Sequence, residues 1–218
     1  MIRYLIHTCN DRNWYVNEYL IPSMVEQGID RNNIDIYLDK NNEGCLVSCM
    51  KAFSSVISDG HTWHLQDDVI ICSDFKERTE KEYEESIVCG YCYEKDGRKD
   101  YVGRVNPKEM WYSFPCIRIS NRVARSCARW YFNYAQFQRC YQIWIKMKKY
   151  DDSMFEIYLQ DYDPDVSILN LKPNLVDHVD YLIGGSVIND MRPEKETHAL
   201  YFDEKYLLKK LEVRLKNS

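Results

Sequence analysis

Within the first seventy residues of the chain, the pattern of hydrophobic positions changes several times between continuous strand-like runs and helical spacing. Met1 to Thr8 is a β-rich apolar run, as expected for a strand that is covered on both faces. From Trp14 onward apolar residues recur at helical spacing, and Gly28 is a typical residue at a helix end. A strand at 34–38, a helix at 45–57 and a strand at 62–72 follow. This order predicts right-handed crossovers and a parallel sheet of the α/β class.

Polar clusters follow each of the three predicted strands. They are Thr8 to Arg12, Asp39 to Asn41, and Gln66 to Asp68. In open parallel sheets ligands bind beyond the carboxyl ends of the strands, so the clusters predict a nucleotide site there. In such a site Asp39 accepts from a ribose or a base, and Asn10 or Arg12 serves the base or the phosphates. The alternative for each residue is an ordinary strand-end or capping role.

Asp67 and Asp68 interrupt a segment, 63–71, that otherwise has the pattern of a buried strand. Two adjacent buried carboxylates repel each other unless a cation or a proton lies between them. Oxygen ligands suit hard divalent ions, so the pair predicts a site for Mg²⁺ or Mn²⁺. In the alternative interpretation the strand ends at Gln66 and both aspartates face water.

The pattern is less regular after this strand. Residues 73–85 are highly charged and predicted to be helical, and residues 87–93 are strand-like. Asp96-Gly97 is a typical hairpin turn, which makes 101–105 the return strand of a small flap. Residues 203–216 have the pattern of a charged amphipathic helix, so the C-terminal part is predicted to be helical.

Residues 118–150 contain no Asp or Glu and eight Lys or Arg. Arg118, Arg122, Arg125 and Arg129 fall at helical spacing and predict a basic stripe. Arginines interleaved with aromatic rings suit contacts to phosphates and bases. The alternative, which we favour, is an amphipathic helix whose aromatic side chains are core and whose basic face pairs with the acidic remainder of the protein.

Two further candidates for chemistry lie in the second half of the chain. Asp151 and Asp152 precede an apolar run at helical spacing, where paired carboxylates commonly cap a helix. The same pair, if it opens into a cleft, can supply a general base. His178 ends the polar segment 173–178 and would complete an oxygen and nitrogen ligand set with Asp68, although a lone histidine is more often structural.

The composition is that of an ordinary globular protein. The chain has 218 residues, 45% of them hydrophobic and 29% charged, with a net charge of −5. No apolar run approaches the ~20 residues that a membrane span needs. Nine cysteines lie mostly in apolar segments, which indicates reduced, buried thiols in a cytoplasmic protein. Cys89 and Cys92 form the only CxxC pair, which is too little for a structural zinc site.

In this order the features resemble the GT-A class of nucleotide-sugar-dependent glycosyltransferases, over roughly residues 2–190. The resemblance is carried by the strand and loop 6–12, Asp39, the DxD-like segment 63–69, the Asp-Asp pair at 151–152, and the segment 173–178, which looks like the Pro-x-Leu-Val-x-His element of small bacterial and phage members. It implies a Rossmann-like, mostly parallel sheet flanked by helices in one domain, 1–218. Its nucleotide-sugar-binding half is 1–115 and its acceptor-side half is 116–218.

The resemblance also implies roles for the residues near the third strand. Asp68 matches the carboxylate that ligates the metal bridging the donor diphosphate, and His178 matches the late histidine that completes the metal shell. Asp67 matches the preceding acid, which serves the ribose or the metal shell. Gln66 stands where many members have an acid, so the motif is Gln-Asp-Asp rather than Asp-x-Asp.

On the acceptor side, Asp151 or Asp152 matches the acid that deprotonates the acceptor hydroxyl in inverting members. Asp39 and the loop at Thr8 match the contacts to base and ribose. The implied cofactor is Mn²⁺ or Mg²⁺, which neutralises the charge that grows on the leaving diphosphate.

The predicted function is therefore transfer of a sugar, with inversion, from a nucleoside-diphosphate sugar to a hydroxyl acceptor. The resemblance implies a UDP-sugar. The acceptor stays open between a saccharide, a lipid-linked glycan, a protein and a hydroxylated base in DNA.

Two other classes are alternatives to a sugar transferase. A nucleotidyltransferase-like enzyme also joins a parallel sheet to paired carboxylates and a divalent ion, but normally has a glycine-rich phosphate loop after the first strand, and none is present. A non-enzymatic nucleic-acid-binding module would use residues 118–149, but the acidic net charge weighs against it.

Overall fold

A computed structural model describes most of the chain, namely residues 2–57, 59–92, 103–105, 114–135, 151–184, 198–199, 202 and 204–218. The strands within these residues are β1 Arg3–Cys9, β2 Ile34–Asp39, β3 His61–Gln66, β4 Val69–Ile71, β5 Ile87–Cys89, β6 Gly103–Val105, β7 Cys116–Ser120, β8 Ile168–Asn170 and β9 Val176–His178. The helices are α1, which joins Asn13–Tyr15, a π-helical segment Val16–Leu20 and Ile21–Glu26, then α2 Cys45–Ser55, α3 Phe75–Thr79, α4 Asn121–Asn133, α5 Asp151–Tyr162 and α6 Lys205–Lys216.

Seven strands form one sheet in the order β2-β1-β3-β7-β5-β8-β6. β1 pairs in parallel with β2 and β3, and β5 pairs in parallel with β8. β7 is antiparallel to β3 and β5, and β6 is antiparallel to β8. Five of the seven strands therefore run in one direction, which confirms the predicted α/β fold with a mostly parallel sheet flanked by helices. Strands from both predicted halves, 1–115 and 116–218, share this sheet.

Helices cover both faces of the sheet with apolar side chains. On one face α2, α4 and α5 bury a core that includes Phe53, Tyr131 and Phe155. On the other face α1, α3 and α6 bury a second core that includes Trp63 and Phe75. The central strands are thus covered on both sides, which explains why β1 has a continuous apolar run rather than an alternating pattern.

Strand register brings three strand ends to the same edge of the sheet. Cys9 lies opposite Asp39, and His7 lies opposite Gln66. The polar residues that follow β1, β2 and β3 are therefore neighbours in space, at the edge where parallel sheets bind ligands.

The predicted strand 62–72 is two strands in the structure. β3 ends at Gln66, Asp67 and Asp68 form a turn, and β4 pairs with β9 in a separate two-stranded sheet. The apolar residues after the turn continue the pattern of a buried strand, so hydrophobicity alone does not reveal the break. The predicted helix at 73–85 is also shorter, since only Phe75–Thr79 is helical.

The strand at 103–105 is present, but it does not pair with β5 as a hairpin. Both Cys89 and Gly103 lie opposite Asn170, so β8 occupies the place between β5 and β6. The prediction of direct pairing between these two strands is wrong, because a later strand of the chain inserts there. The Asp96-Gly97 turn lies outside the described residues.

The predicted basic stripe is interrupted at its first residue. Arg118 lies on β7, is buried, donates to the Glu85 carbonyl at 3.1 Å and lies over the ring of Tyr83. The helix begins only at Asn121, where Ser120 caps it by accepting from the backbone N–H of Val123. Arg118 is therefore part of the structural core, and residues 136–149 of the proposed nucleic-acid-binding stretch lie outside the described residues.

The three arginines that remain of the stripe lie on α4. Arg122 and Arg129 are exposed, and Arg125 donates to the Val56 carbonyl. Trp130 and Tyr131 of the same helix are buried in the core, as the alternative interpretation of this stretch requires.

All eight cysteines of the described residues are free thiols, and six of them are buried. This agrees with the expected reduced state, and it includes the CxxC pair Cys89 and Cys92. Cys140 lies outside the described residues. None of the helices in the described ranges has both the length and the apolar character that crossing a membrane requires.

Two histidines lie side by side beneath α2, with His64 buried and His7 partly buried. His7 Nε2 lies 3.1 Å from His64 Nδ1, and Phe53 packs edge-on against both rings. Burial lowers the pKa of His7 to about 4. Burial and the neighbouring His7 hold the pKa of His64 well below its usual value. Both rings are therefore neutral in the folded protein at neutral pH.

We predict that this pair makes the fold sensitive to mild acid. The folded-state pKa of each histidine lies below the unfolded value of about 6.5, so the pair contributes stability above that pH and loses it as the pH falls toward 4. The free energy of unfolding should decrease by up to about 1.4 kcal/mol per pH unit for each histidine that takes up a proton on unfolding. Urea unfolding at pH 7.5, 6.5, 5.5 and 4.5 measures this slope.

A double variant, His7→Gln with His64→Asn, is the comparison for that experiment. The amides keep hydrogen-bonding atoms near the positions of Nε2 and Nδ1 but do not titrate. The stability of the variant should depend less on pH than that of the wild type below pH 6.5. Parallel curves for the two proteins would show that the histidine pair is not the origin of the acid sensitivity.

Candidate active site

The candidate site begins where β1 and β3 end. The loop after β1 carries Arg12, and the turn after β3 carries Asp67 and Asp68. Arg12 Nη1 donates to Asp67 Oδ1 at 3.1 Å and also to Asp68 Oδ2. All three residues are less than a tenth exposed. The guanidinium of Arg12 thus neutralises part of the charge of two adjacent buried carboxylates. Without such a partner their charge would be costly to bury.

Asp67 is also held by β1. Its Oδ2 accepts from the backbone N–H of Cys9 at 3.2 Å, and Thr8 hydrogen-bonds its side chain. Thr8, Arg12 and Asp67 were predicted as separate substrate contacts, and the structure places them in one network. Their roles toward a substrate stay predictions.

His178 reaches the same turn from the far end of the chain. β9 pairs with β4 so that His178 lies opposite Val69, the residue after Asp68. His178 Nε2 is 3.3 Å from Asp68 Oδ1, and His178 Nδ1 is 3.2 Å from Asp180 Oδ1. The backbone N–H of Val179 donates to the Asp68 carbonyl at 2.8 Å, which fixes the two segments against each other.

Asp180 is a site residue that the sequence analysis missed. Its carboxylate orients the imidazole ring of His178, the arrangement commonly found behind metal-binding histidines. The available signal was the spacing, since Asp180 follows His178 by two residues in the 3-10 helix Asp180–Leu182.

The charges in this cluster set the pKa values of its members. Burial alone would raise the pKa of Asp68, but the charges of His178 and Arg12 outweigh it and hold that pKa below its usual range. Burial and the charge of Asp68 raise the pKa of Asp67 to about 6, against the opposing effect of Arg12. Burial lowers the pKa of His178, but Asp68 and Asp180 together raise it to about 10. Asp68 is thus the carboxylate that stays ionised.

One oxygen in the cluster lies next to a histidine nitrogen. Asp68 Oδ1 is buried and forms an ion pair with His178 Nε2 at 3.3 Å. An oxygen and a nitrogen separated by 3.3 Å suit two adjacent ligands of one divalent ion. No group of three or more His, Cys, Asp or Glu residues in the described ranges is arranged to hold a metal without help. The two ligand atoms therefore fit an ion that takes its remaining ligands from water and phosphate, as Mg²⁺ does.

The carboxylates Asp151 and Asp152 lie at the start of α5, and the end of β3 touches the first of them. Gln66 Nε2 donates to Asp151 Oδ2 at 3.4 Å, and the Cys45 thiol also hydrogen-bonds Asp151. Burial raises the pKa of Asp151, and burial together with the charge of Asp151 raises the pKa of Asp152 to about 8. The pair consequently retains a proton near neutral pH, and a pKa close to the working pH suits a general acid or base.

The remaining predicted contacts hold loops in this structure. Asp39 accepts from the backbone N–H groups of Glu43 and Gly44, each at 3.1 Å, and so shapes the loop that leads into α2. Asn10 Nδ2 donates to the carbonyl of Lys40 at 3.3 Å. These contacts are those of the alternative, strand-end interpretation, and the proposed contacts to base and ribose stay predictions.

Comparison with known proteins gives a match in structure but not in sequence. No model of a protein family matches the chain, and no curated protein matches it. The solved structure of S. aureus TarS 1–349 aligns with a TM-score of 0.52 and 12% identity, covering 83% of this chain and 61% of that one. This chain thus spans about three fifths of the length of that protein.

Two further solved structures align less closely. The glycosyltransferase GlyE from Streptococcus pneumoniae TIGR4 has a TM-score of 0.48 and 10% identity, over 79% of this chain and 46% of that one. The inositol-1-phosphate CTP transferase from T. maritima has a TM-score of 0.46 and 10% identity, over 80% and 87% of the two chains. At such identities the similarity to TarS shows the fold alone, and that fold is the GT-A-like fold that the sequence predicts.

Proposed function

We propose that the protein is a glycosyltransferase that moves a sugar from a nucleoside-diphosphate sugar to a hydroxyl acceptor. The observation that carries the proposal is the pair of Asp68 Oδ1 and His178 Nε2, 3.3 Å apart at the carboxyl end of a central strand of a GT-A-like sheet. In the absence of metal these two atoms share a proton, since the pKa of His178 is raised to about 10, and a divalent ion bound between them would displace that proton.

The donor would bind over the ends of β1, β2 and β3, with its diphosphate next to Asp68 and His178. The ion would be Mn²⁺ or Mg²⁺, and bound there it would neutralise the charge that develops on the leaving diphosphate. Arg12 keeps Asp67 and the other oxygen of Asp68 neutralised, so the ligand oxygen is presented in one orientation. A UDP-sugar is the donor that the sequence resemblance implies.

The acceptor would enter from the side of Asp151 and Asp152. A carboxylate there would take the proton of the acceptor hydroxyl while that oxygen attacks the anomeric carbon. A single displacement of this kind inverts the configuration of the sugar. Because the pKa values of both carboxylates are raised, the fraction of molecules with an ionised carboxylate that can accept a proton increases with pH.

For the acceptor itself we propose a glycan, with a hydroxylated base in DNA as the second candidate. The exposed arginines Arg122 and Arg129 on α4 support contact with an anionic acceptor, but the burial of Arg118 removes one quarter of the predicted stripe. Titration with duplex DNA at two salt concentrations distinguishes the candidates, because phosphate contacts weaken as salt rises.

We predict that the substitution Asp68→Asn removes metal-dependent donor binding. UDP with Mn²⁺ should raise the melting temperature of the wild type, because a ligand that binds only the native state stabilises it, by about 2.7 kcal/mol at a hundredfold excess over Kd. Asn keeps the size of the side chain but supplies a weaker, neutral ligand, so the shift should disappear. Thermal unfolding with UDP alone, Mn²⁺ alone and both measures it.

The matched control for this variant is Asp35→Asn. Asp35 is an exposed residue near the amino end of β2 that pairs with Arg3, at the edge of the sheet opposite the candidate site. The control should keep the full shift with UDP and Mn²⁺. A wild-type protein that shows no shift with any nucleoside diphosphate and either metal would contradict the proposed function, and a full shift in Asp68→Asn would remove the role of Asp68.

We predict that the rate of sugar transfer rises with pH through about 8, the pKa of Asp152, because the carboxylate pair becomes fully ionised there. The charge of Asp151 contributes to the raised pKa of Asp152, so the substitution Asp151→Asn should lower the pKa of Asp152. Loss of a general base typically lowers turnover by 10²- to 10⁴-fold, and we expect a decrease of that size in kcat with little change in KM for the donor. Initial rates of the wild type and of Asp151→Asn between pH 5.5 and 9.5 measure the pH dependence and the loss of kcat. A wild-type rate that is independent of pH in this range would exclude the carboxylate pair as the base.

A further inference from the structure

Gln66 joins the donor side and the acceptor side of the candidate site. It is the last residue of β3, and Asp67 and Asp68 follow it directly in the chain. Its side chain does not point toward their cluster but donates through Nε2 to Asp151 Oδ2 at 3.4 Å. Its backbone N–H donates to the Pro115 carbonyl at 3.1 Å, and it lies opposite His7 of β1. Its place at the end of the strand is therefore fixed from both sides.

The surroundings of Asp151 explain why this contact matters. The titratable groups that face it are the thiols of Cys45 and Cys49 on α2 and the neighbouring carboxyl group of Asp152. None of these is a cation. The ionised form of Asp151 therefore depends on hydrogen bonds, which it receives from Gln66, from Cys45 and from the backbone N–H of Asp152 at 3.0 Å. Only the contact from Gln66 comes from β3, the strand that leads into the turn of Asp67 and Asp68, which we call the donor turn.

An amide is the side chain that suits this position. A carboxylate at position 66 would lie about as close to Asp151 as the amide does now, and two like charges at that separation repel and raise each other's pKa. The amide has the same shape and length, and it donates a hydrogen bond that favours the ionised form of its partner. This gives a physical reason for the Gln-Asp-Asp order where an acid in the first position would be expected.

We propose that Gln66 is a positioning residue for sugar transfer. Its side chain fixes the position of Asp151 relative to the donor turn, and it ligates neither metal nor donor. The inference rests on the proposed function, because it takes Asp151 as the acceptor-side base. Holding a base at the correct separation from the reacting centre contributes strongly to rate, since a misplacement of about 1 Å can cost 10²-fold. Strand β3 would then position both the donor and the base, since the donor turn follows it directly and Gln66 at its end contacts Asp151.

The first experiment compares Gln66→Met with the wild type. Met has a similar length but cannot donate, so Asp151 loses one hydrogen bond without a large change in volume. We expect kcat to fall 10- to 100-fold, with KM for the donor and the affinity for UDP with Mn²⁺ unchanged within twofold. A loss of UDP affinity as large as the loss of kcat would show that Gln66 contacts the donor, and an unchanged kcat would show that it positions nothing.

The second experiment uses Gln66→Glu, which keeps the shape and adds a charge. The acidic limb of the kcat against pH profile should move to higher pH by at least half a unit. The control is Gln160→Glu, which adds the same charge on α5 at a position nine residues after Asp151, roughly 13 Å along the helix axis. The control profile should match that of the wild type, and a profile of Gln66→Glu that also matches it would overturn the proposal.

A third measurement does not depend on activity. Carboxyl ¹³C chemical shifts report the pKa of Asp151 in the wild type and in Gln66→Met, and the pKa should rise in the variant because a hydrogen bond to the ionised form is lost. An unchanged pKa would overturn the link between the two residues. Failure of the wild type to bind any nucleoside diphosphate would instead contradict the proposed function, so the two failures are distinguishable.

Discussion

Two carboxylates that adjoin in the chain, Asp67 and Asp68, are buried at the tip of a central strand, and the architecture of the site follows from their charge. An uncompensated buried charge costs several kcal/mol, so the fold must bring cationic groups to them. Arg12 comes from the loop after β1, and His178 comes from a strand more than a hundred residues later. The small sheet of β4 and β9 has a clear purpose in this context, because its pairing holds His178 beside Asp68.

Much of the fold could be predicted from the sequence because local patterns and global architecture agree in the first half. Strand, helix and strand alternate there, and parallel pairing follows from the crossovers. The failures have specific causes. Val69 and Ile71 continue an apolar run across a turn, Arg118 falls at helical spacing while lying on a strand, and β8 inserts between two strands that a turn signal had paired. Each depends on contacts distant in sequence.

The sequence predicts which polar residues gather at the strand ends, but it does not predict the contacts between them. The residues at the strand ends and His178 follow from sequence order and resemblance, whereas the contact of Gln66 with Asp151 and that of Asp180 with His178 exist only in three dimensions. Asp39 and Asn10 show the opposite case, since their side chains bind loop backbone in this structure. The metal and donor roles of the cluster are proposals that the geometry supports through one oriented, buried oxygen of Asp68.

The most direct test of this account is a crystal structure of the protein with UDP and Mn²⁺, using anomalous scattering to locate the metal. The account predicts one Mn²⁺ ion within roughly 2.3 Å of both Asp68 Oδ1 and His178 Nε2, completed by oxygens of the diphosphate. Arg12 should remain paired with Asp67. A diphosphate bound elsewhere on the protein, or a metal that has neither Asp68 nor His178 as a ligand, would contradict it.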